Sequence, residues 1–170
     1  MAVDVLPDLS KRKLRALVID DNEHMRALLR RLLQRAGIEN MEYADASVAL
    51  ENIESIKPDF ILTDLSMQAM DGISFVRTLR HSTNQQIQTI PVIMVTGHSE
   101  RQTVQSARDA GVNELLVKPV TERGLYQRIQ EVILRPRPFV FGPEYFGPCR
   151  RRRRDLSYTG PERRKAVCAV

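Results

Sequence analysis

Four short apolar runs, each ending on a polar or charged residue, set the terms on which this chain can fold. Ala16 to Ile19 runs into Asp20-Asp21, Phe60 to Leu62 into Asp64, Pro91 to Val95 into Thr96, and Val112 to Val117 into Lys118-Pro119. Near-continuous apolar runs of this length are strands covered on both faces, as in parallel sheets. Between them the spacing turns helical. Met25, Leu28, Leu29, Leu32, Leu33 and Ala36 share one face before Gly37, and Val48, Leu50, Ile53 and Ile56 precede Pro58. Ile73, Val76 and Leu79 follow Gly72, and Leu125, Ile129, Val132 and Ile133 precede Pro136. Met41, Tyr43 and Ala44 suggest a further short strand, the second in chain order.

Strands alternating with helices at this spacing imply βαβ units with right-handed crossovers. The expected fold is α/β: a five-stranded parallel sheet, doubly wound and flavodoxin-like, in strand order 2-1-3-4-5, with five helices. Residues 1–12 read as a polar lead-in, 13–135 as the sheet domain and 136–170 as an arginine-rich, ligand-binding tail. Residues 81–89, polar and glutamine-rich, are expected to be a connection without an element. A helix expected over residues 99–110 offers only Val104, Ala107 and Ala110 to a core, so it should be weakly anchored and easily moved.

Charge is distributed unevenly. The whole chain is +5, yet residues 135–170 hold ten basic and three acidic side chains, which leaves the remainder mildly acidic. Cys149 and Cys168 match no metal-ligand spacing and call for no disulfide framework. His24, His81 and His98 are scattered and read as surface residues. No segment approaches the ~20 apolar residues of a membrane span, so the expected compartment is the cytoplasm.

In strand order 2-1-3-4-5 the first and third strands meet at the topological switch point, where open α/β sheets bind ligands. Asp20, Asp21 and Asp64 would converge there. Three close carboxylates repel one another unless a pKa rises or a cation binds, and oxygen ligands favour a hard ion such as Mg²⁺. A carboxylate beside Mg²⁺ can act as a nucleophile towards a phosphoryl group. Thr96 Oγ and Lys118 Nζ, from the next two strand ends, would donate to the charge that results.

Taken together, Asp20-Asp21, Asp64, the loop DLSMQAMDG, Thr96-Gly97 and Lys118-Pro119 resemble the receiver domain of two-component response regulators of the CheY type. The resemblance covers about residues 13–135. It implies that Asp64 is the phosphoacceptor and that Asp20, Asp21 and the main-chain carbonyl of Ser66 hold Mg²⁺ with it. It also implies that Thr96 and Lys118 bind the phosphoryl group, that Lys118-Pro119 is cis, and that a sensor histidine kinase or phosphotransfer protein is the partner. Two positions depart from the family pattern. Gln68 replaces the usual proline, and Leu115 stands where an aromatic ring commonly swings inward with the threonine.

The tail carries a repeat. Tyr145-Phe146-Gly147-Pro148-Cys149-Arg150-Arg151 recurs thirteen residues later as Tyr158-Thr159-Gly160-Pro161-Glu162-Arg163-Arg164, and Arg150, Arg151, Arg152, Arg153 and Arg154 are consecutive. Thirty-five residues rich in proline, glycine and arginine are expected to bury no core alone and to order around a ligand. Arginine grips phosphate or guanine in bidentate fashion and stacks on aromatic faces, so two copies suit a two-fold guanine dinucleotide. Phe139, Phe141 and Phe146 either stack on a base or fasten the tail to the domain.

A receiver with such an extension is similar to the Cle group of CheY-like proteins, which implies cyclic di-GMP as ligand and the flagellar motor switch as partner. The ligand residues would be Tyr145, Tyr158, Arg150 to Arg154, Arg163 and Arg164. Competing readings are a nucleic-acid-binding basic tail and a phosphorelay shuttle with a kinase-docking tail. Turnover of a separate substrate is not expected.

Overall fold

The computed structural model describes residues 13–97, 100–142 and 145–150. Five strands, β1 (Arg15–Ile19), β2 (Glu39–Tyr43), β3 (Phe60–Asp64), β4 (Val92–Thr96) and β5 (Glu114–Val117), form a parallel sheet in the order β2-β1-β3-β4-β5. Alternating strand residues feed opposite layers. Leu17, Ile19, Ile61 and Met94 face α2 (Ala46–Ile56), α3 (Gly72–Arg80) and α5 (Arg101–Ala110), whereas Ala16, Val18, Leu62 and Val95 face α1 (Glu23–Arg35) and α6 (Glu122–Leu134). The predicted architecture and strand order are both present.

Each strand end passes quickly into a capped helix. Asn22 Oδ1 accepts from the Met25 amide at 3.1 Å, and Asp71 Oδ1 from the Ser74 amide at 2.7 Å, supplying partners for first-turn N–H groups that lack intrahelical ones. The helix α5 differs. Glu100 caps it with no side-chain hydrogen bond, and only Ala107 and Ala110 are buried, so the expected weak anchoring holds over the described Arg101–Ala110, with residues 98 and 99 outside the described set.

Two expectations need correction. The connection at 81–89 contains a one-turn helix, α4 (Gln85–Gln88), because Asn84 caps it and Ile87 is buried at its centre. More consequentially, the tail does not start as a bare extension. Residues 139–141 (β6, Phe139–Phe141) pair antiparallel with β7 (Phe146–Pro148), and the Cys149 amide donates to the Pro138 carbonyl at 2.7 Å.

That hairpin is seated on the domain. Phe139 is buried, its ring 5.0 Å from the guanidinium carbon of Arg80. Arg137 donates to the Asn113 and Cys149 carbonyls and lies 3.7 Å from Glu114 Oε1. Gly147 lies flat against Gly111, and a Cβ there would sit 2.8 Å from the Gly111 Cα. Alone these residues would build no core, but Phe139–Phe141 and Phe146–Pro148 find burial against the domain instead. Their anchors lie in the domain, where tail composition does not show them.

Candidate functional site

At the C-terminal edge of the sheet, β1 delivers Asp20, β3 ends on Asp64, β4 ends on Thr96, and Lys118 follows β5. The register sets them side by side, with Asp64 paired to Val95 and Thr96 to Val117. One carboxylate oxygen from each of Asp20, Asp21 and Asp64 lies within 4.8 Å of the others. Asp20, Asp64 and Thr96 are buried, whereas Asp21 is exposed. All three predicted acids are thus brought together.

Among the described residues, Lys118 is the cation that meets these carboxylates. Lys118 Nζ donates to Asp64 Oδ1 at 2.7 Å and lies 3.8 Å from Asp20 Oδ2. Ser66 N–H donates to Asp64 Oδ2 at 2.9 Å, so both oxygens of the Asp64 carboxylate are held in place. Asn22 N–H fixes Asp20 Oδ1 at 2.8 Å, but Asp20 Oδ2 is the one buried side-chain polar atom without a hydrogen-bond partner among the described residues. Burial raises the Asp20 pKa, with Asp64 and Asp21 pushing the same way against the Asn22 amide and Lys118.

An orphaned buried oxygen beside two further carboxylates is a set of hard ligands one divalent cation short, and Mg²⁺ fits it. Such a cation would satisfy Oδ2 and remove the mutual repulsion.

Gly72 follows from the same geometry. Its amide donates to the Leu65 carbonyl at 2.9 Å, and a Cβ at this position would collide with the Asp64 carbonyl oxygen. Asp71 caps α3, and Gly72 lets that helix begin directly behind β3. Ser66, predicted as a carbonyl ligand, lies on the exposed loop after β3. The Lys118-Pro119 bond is cis, as predicted. Leu115 is half-buried and packs on the apolar layer beneath α5.

The tail predictions meet the structure only in part. Tyr145 and Arg150 are brought together, with the guanidinium carbon 4.4 Å from the ring centroid, and Arg150 forms a 2.5 Å ion pair with Asp109 of α5. Arg151, Arg152, Arg153, Arg154, Tyr158, Arg163 and Arg164 lie outside the described residues. Phe146 packs between Phe139 and Phe141, with centroids 5.4 and 4.4 Å away, so the three rings fasten the two tail strands to each other, and Phe141 remains 46% exposed.

Sequence reasoning did not single out Arg80, Asp109, Glu114 or Arg137, the side chains that seat and hold the hairpin. A signal existed for two of them. Arg80 extends the apolar stripe of Val76 by one turn, and Glu114 interrupts the apolar run of β5, so each is a charge placed where the pattern calls for an apolar residue.

Among known proteins, the model of the response regulator receiver domain matches residues 16–130. The chemotaxis protein CheY of Pseudomonas aeruginosa is 34% identical over 123 residues, covering 72% of this chain and 98% of that protein. The solved structure of Vibrio cholerae chemotaxis protein CheY4 superposes with a TM-score of 0.67 at 29% identity, covering 72% of this chain and 100% of the other. The receiver domain of a Pseudomonas aeruginosa sensor histidine kinase, whose structure has a magnesium ion coordinated in its active-site cleft, superposes at 0.63 with 26% identity over 71% and 96% of the two chains.

Proposed function

The chain belongs to the response regulator receiver domain family, and from that premise we propose a regulator phosphorylated on Asp64 whose tail binds cyclic di-GMP and conveys that signal to a protein partner such as the flagellar motor switch. The phosphoryl donor is a histidine kinase or phosphotransfer protein. The observation that carries the first half is Asp64 held by Lys118 at 2.7 Å beside the unpartnered Asp20 Oδ2.

In the transfer, an Asp64 carboxylate oxygen attacks phosphorus, the O–P bond forms as the donor's P–N bond breaks, and the departing imidazole keeps the electron pair and is protonated. Asp20, Asp21, Asp64 and the Ser66 carbonyl would hold Mg²⁺, which neutralises charge on the phosphoryl oxygens when bound. Lys118 and Thr96 supply the remaining donors, and Lys118 exchanges a carboxylate oxygen for a phosphoryl one. The chain then carries its own aspartyl phosphate and turns over no separate substrate.

Incubation with acetyl phosphate and Mg²⁺ should add one phosphoryl mass to the wild type and none to Asp64→Asn, with EDTA abolishing the gain. Equal modification of both proteins would refute Asp64 as the acceptor.

The tail reading is supported by the Arg150–Tyr145 stack, because the same five-residue offset separates Tyr158 from Arg163 in the second copy. Titration calorimetry should show cyclic di-GMP binding in the wild type and its loss in Arg151→Ala/Arg152→Ala/Arg153→Ala. Binding that ignores guanine and falls steeply with salt would instead assign the tail to nucleic acid.

A further inference from the structure

Between α5, the open edge of β5, α6 and the tail hairpin runs a groove of about 480 Å³. Its charged wall consists of Arg108, Arg128, Arg137 and Arg150 against the single acid Glu114, with Tyr145 at the hairpin end. Glu114 accounts for two of the four cations, lying 3.3 Å from Arg128 Nη1 and 3.7 Å from Arg137 Nη2. Arg150 is paired with Asp109 just outside. Arg108, exposed in the last turn of α5, makes no side-chain ion pair or hydrogen bond among the described residues. The groove therefore holds more positive charge than its own acid neutralises, and of the two guanidinium groups that Glu114 does not meet, that of Arg150 already lies over an aromatic ring.

That pairing has a specific chemistry. Two forks lining one groove, Arg108 from α5 and Arg150 from the tail, suit a phosphodiester, which each can grip through charge-assisted hydrogen bonds. The outer face of the Arg150 guanidinium, stacked on Tyr145, is a platform for a purine base. The volume lies within the usual range for a small-molecule site, roughly 300–1,000 Å³.

We propose that this groove is the nucleotide site, shared between tail and receiver: Arg108 and Arg150 clamp a phosphate of the cyclic dinucleotide while one guanine stacks on the Arg150–Tyr145 pair. The inference rests on the reading that the tail binds cyclic di-GMP, and adds that the receiver itself supplies a ligand residue. Occupancy draws Arg150 away from Asp109 and ties α5 to the hairpin through the ligand. Because α5 follows the Thr96-Gly97 strand end and buries only two alanines, nucleotide and phosphoryl group act on the same loosely held helix.

Calorimetry on the full chain with cyclic di-GMP separates the two readings. Arg108→Ala, a surface change that should leave the melting temperature untouched, is expected to weaken binding about tenfold, the scale of one charge-assisted contact. Amide resonances of Val104, Leu115 and Val117 should shift on ligand addition. Unchanged affinity in Arg108→Ala together with loss in the triple arginine variant would overturn the shared groove and leave the tail reading standing. No binding by the wild type would overturn both, and equal affinity for a guanine-free oligonucleotide would remove the assignment to a guanine dinucleotide.

Discussion

Two charges are buried at opposite edges of one sheet, and they are treated differently. Asp20, 1% exposed at the C-terminal edge, keeps one carboxylate oxygen with no hydrogen-bond partner. Arg80, 2% exposed near the N-terminal ends of β4 and β5, donates to the carbonyls of Gln88, Ile90 and Gly111 and to Asn113 Oδ1 at 2.6–3.1 Å, and Phe139 covers its face. Burial draws the Arg80 pKa down to about 9, which still leaves a cation at neutral pH. A buried charge with its donors matched is architecture. One left a partner short is a site waiting for a ligand, and the energetic consequences of removing each should have opposite signs.

The largest effect is expected at Arg80. Arg80→Met keeps much of the aliphatic stem under Phe139 but strands the Gly111 and Ile90 carbonyls, each of which costs on the order of 1–3 kcal/mol when buried and unpaired. The relief of no longer burying a charge offsets part of this, leaving a loss of about 3 kcal/mol, or roughly 6–12 °C in melting temperature for a chain of this size. Thermal denaturation monitored by circular dichroism measures it. A neutral or stabilised Arg80→Met would break the comparison, since the guanidinium would then be no better matched than the carboxylate.

Removing the Asp20 charge should do the reverse, by roughly 1 kcal/mol in the absence of divalent cations, the ordinary scale of a single substitution. The sign follows from the raised pKa. Below the ordinary value of 3.8 the carboxyl is protonated folded or unfolded and imposes no penalty. As pH rises past that value the unfolded chain ionises first, so stability falls until the folded carboxyl ionises too, and the whole penalty persists above. In EDTA at pH 7, Asp20→Asn should therefore melt higher than the wild type, with the gap closing as pH falls towards 3.8. Millimolar Mg²⁺ should reverse the order by stabilising only the wild type. An Asp20→Asn variant that is less stable in EDTA would show that Oδ2 is satisfied after all.

The same contrast explains what could be read from the residues alone. The cleft was legible because a receiver cleft is assembled from strand ends. Asp20, Asp64, Thr96 and Lys118 each terminate an apolar run, and strand order alone brings them together. Strand β2 gave a weaker signal because it is an edge strand whose Glu39 and Met41 are exposed. The hairpin was illegible for a different reason. Its sequence has the composition of an unanchored tail, and its holdfasts, Arg80, Gly111 and Glu114, lie 25 to 59 residues before Phe139. Period and composition report what a segment does with its own residues. They do not report a seat prepared elsewhere.

Asp109 tests the intermediate case, a charge pair that is neither buried nor orphaned. Its carboxylate meets Arg150 at 2.5 Å, with the two side chains 42% and 46% exposed. Solvent on both sides screens the attraction, so Asp109→Asn should change global stability by no more than about 0.5 kcal/mol, and less as salt is raised. The informative readout is local. With Asp109 neutral, the Arg150 guanidinium keeps Tyr145 as its partner among the described residues, and its Nε–Hε resonance should move while those of Arg80 and Arg137, held by carbonyls, stay in place. A melting temperature lowered as far as in Arg80→Met would mean that this exposed pair, and not the buried guanidinium, holds the hairpin on the domain.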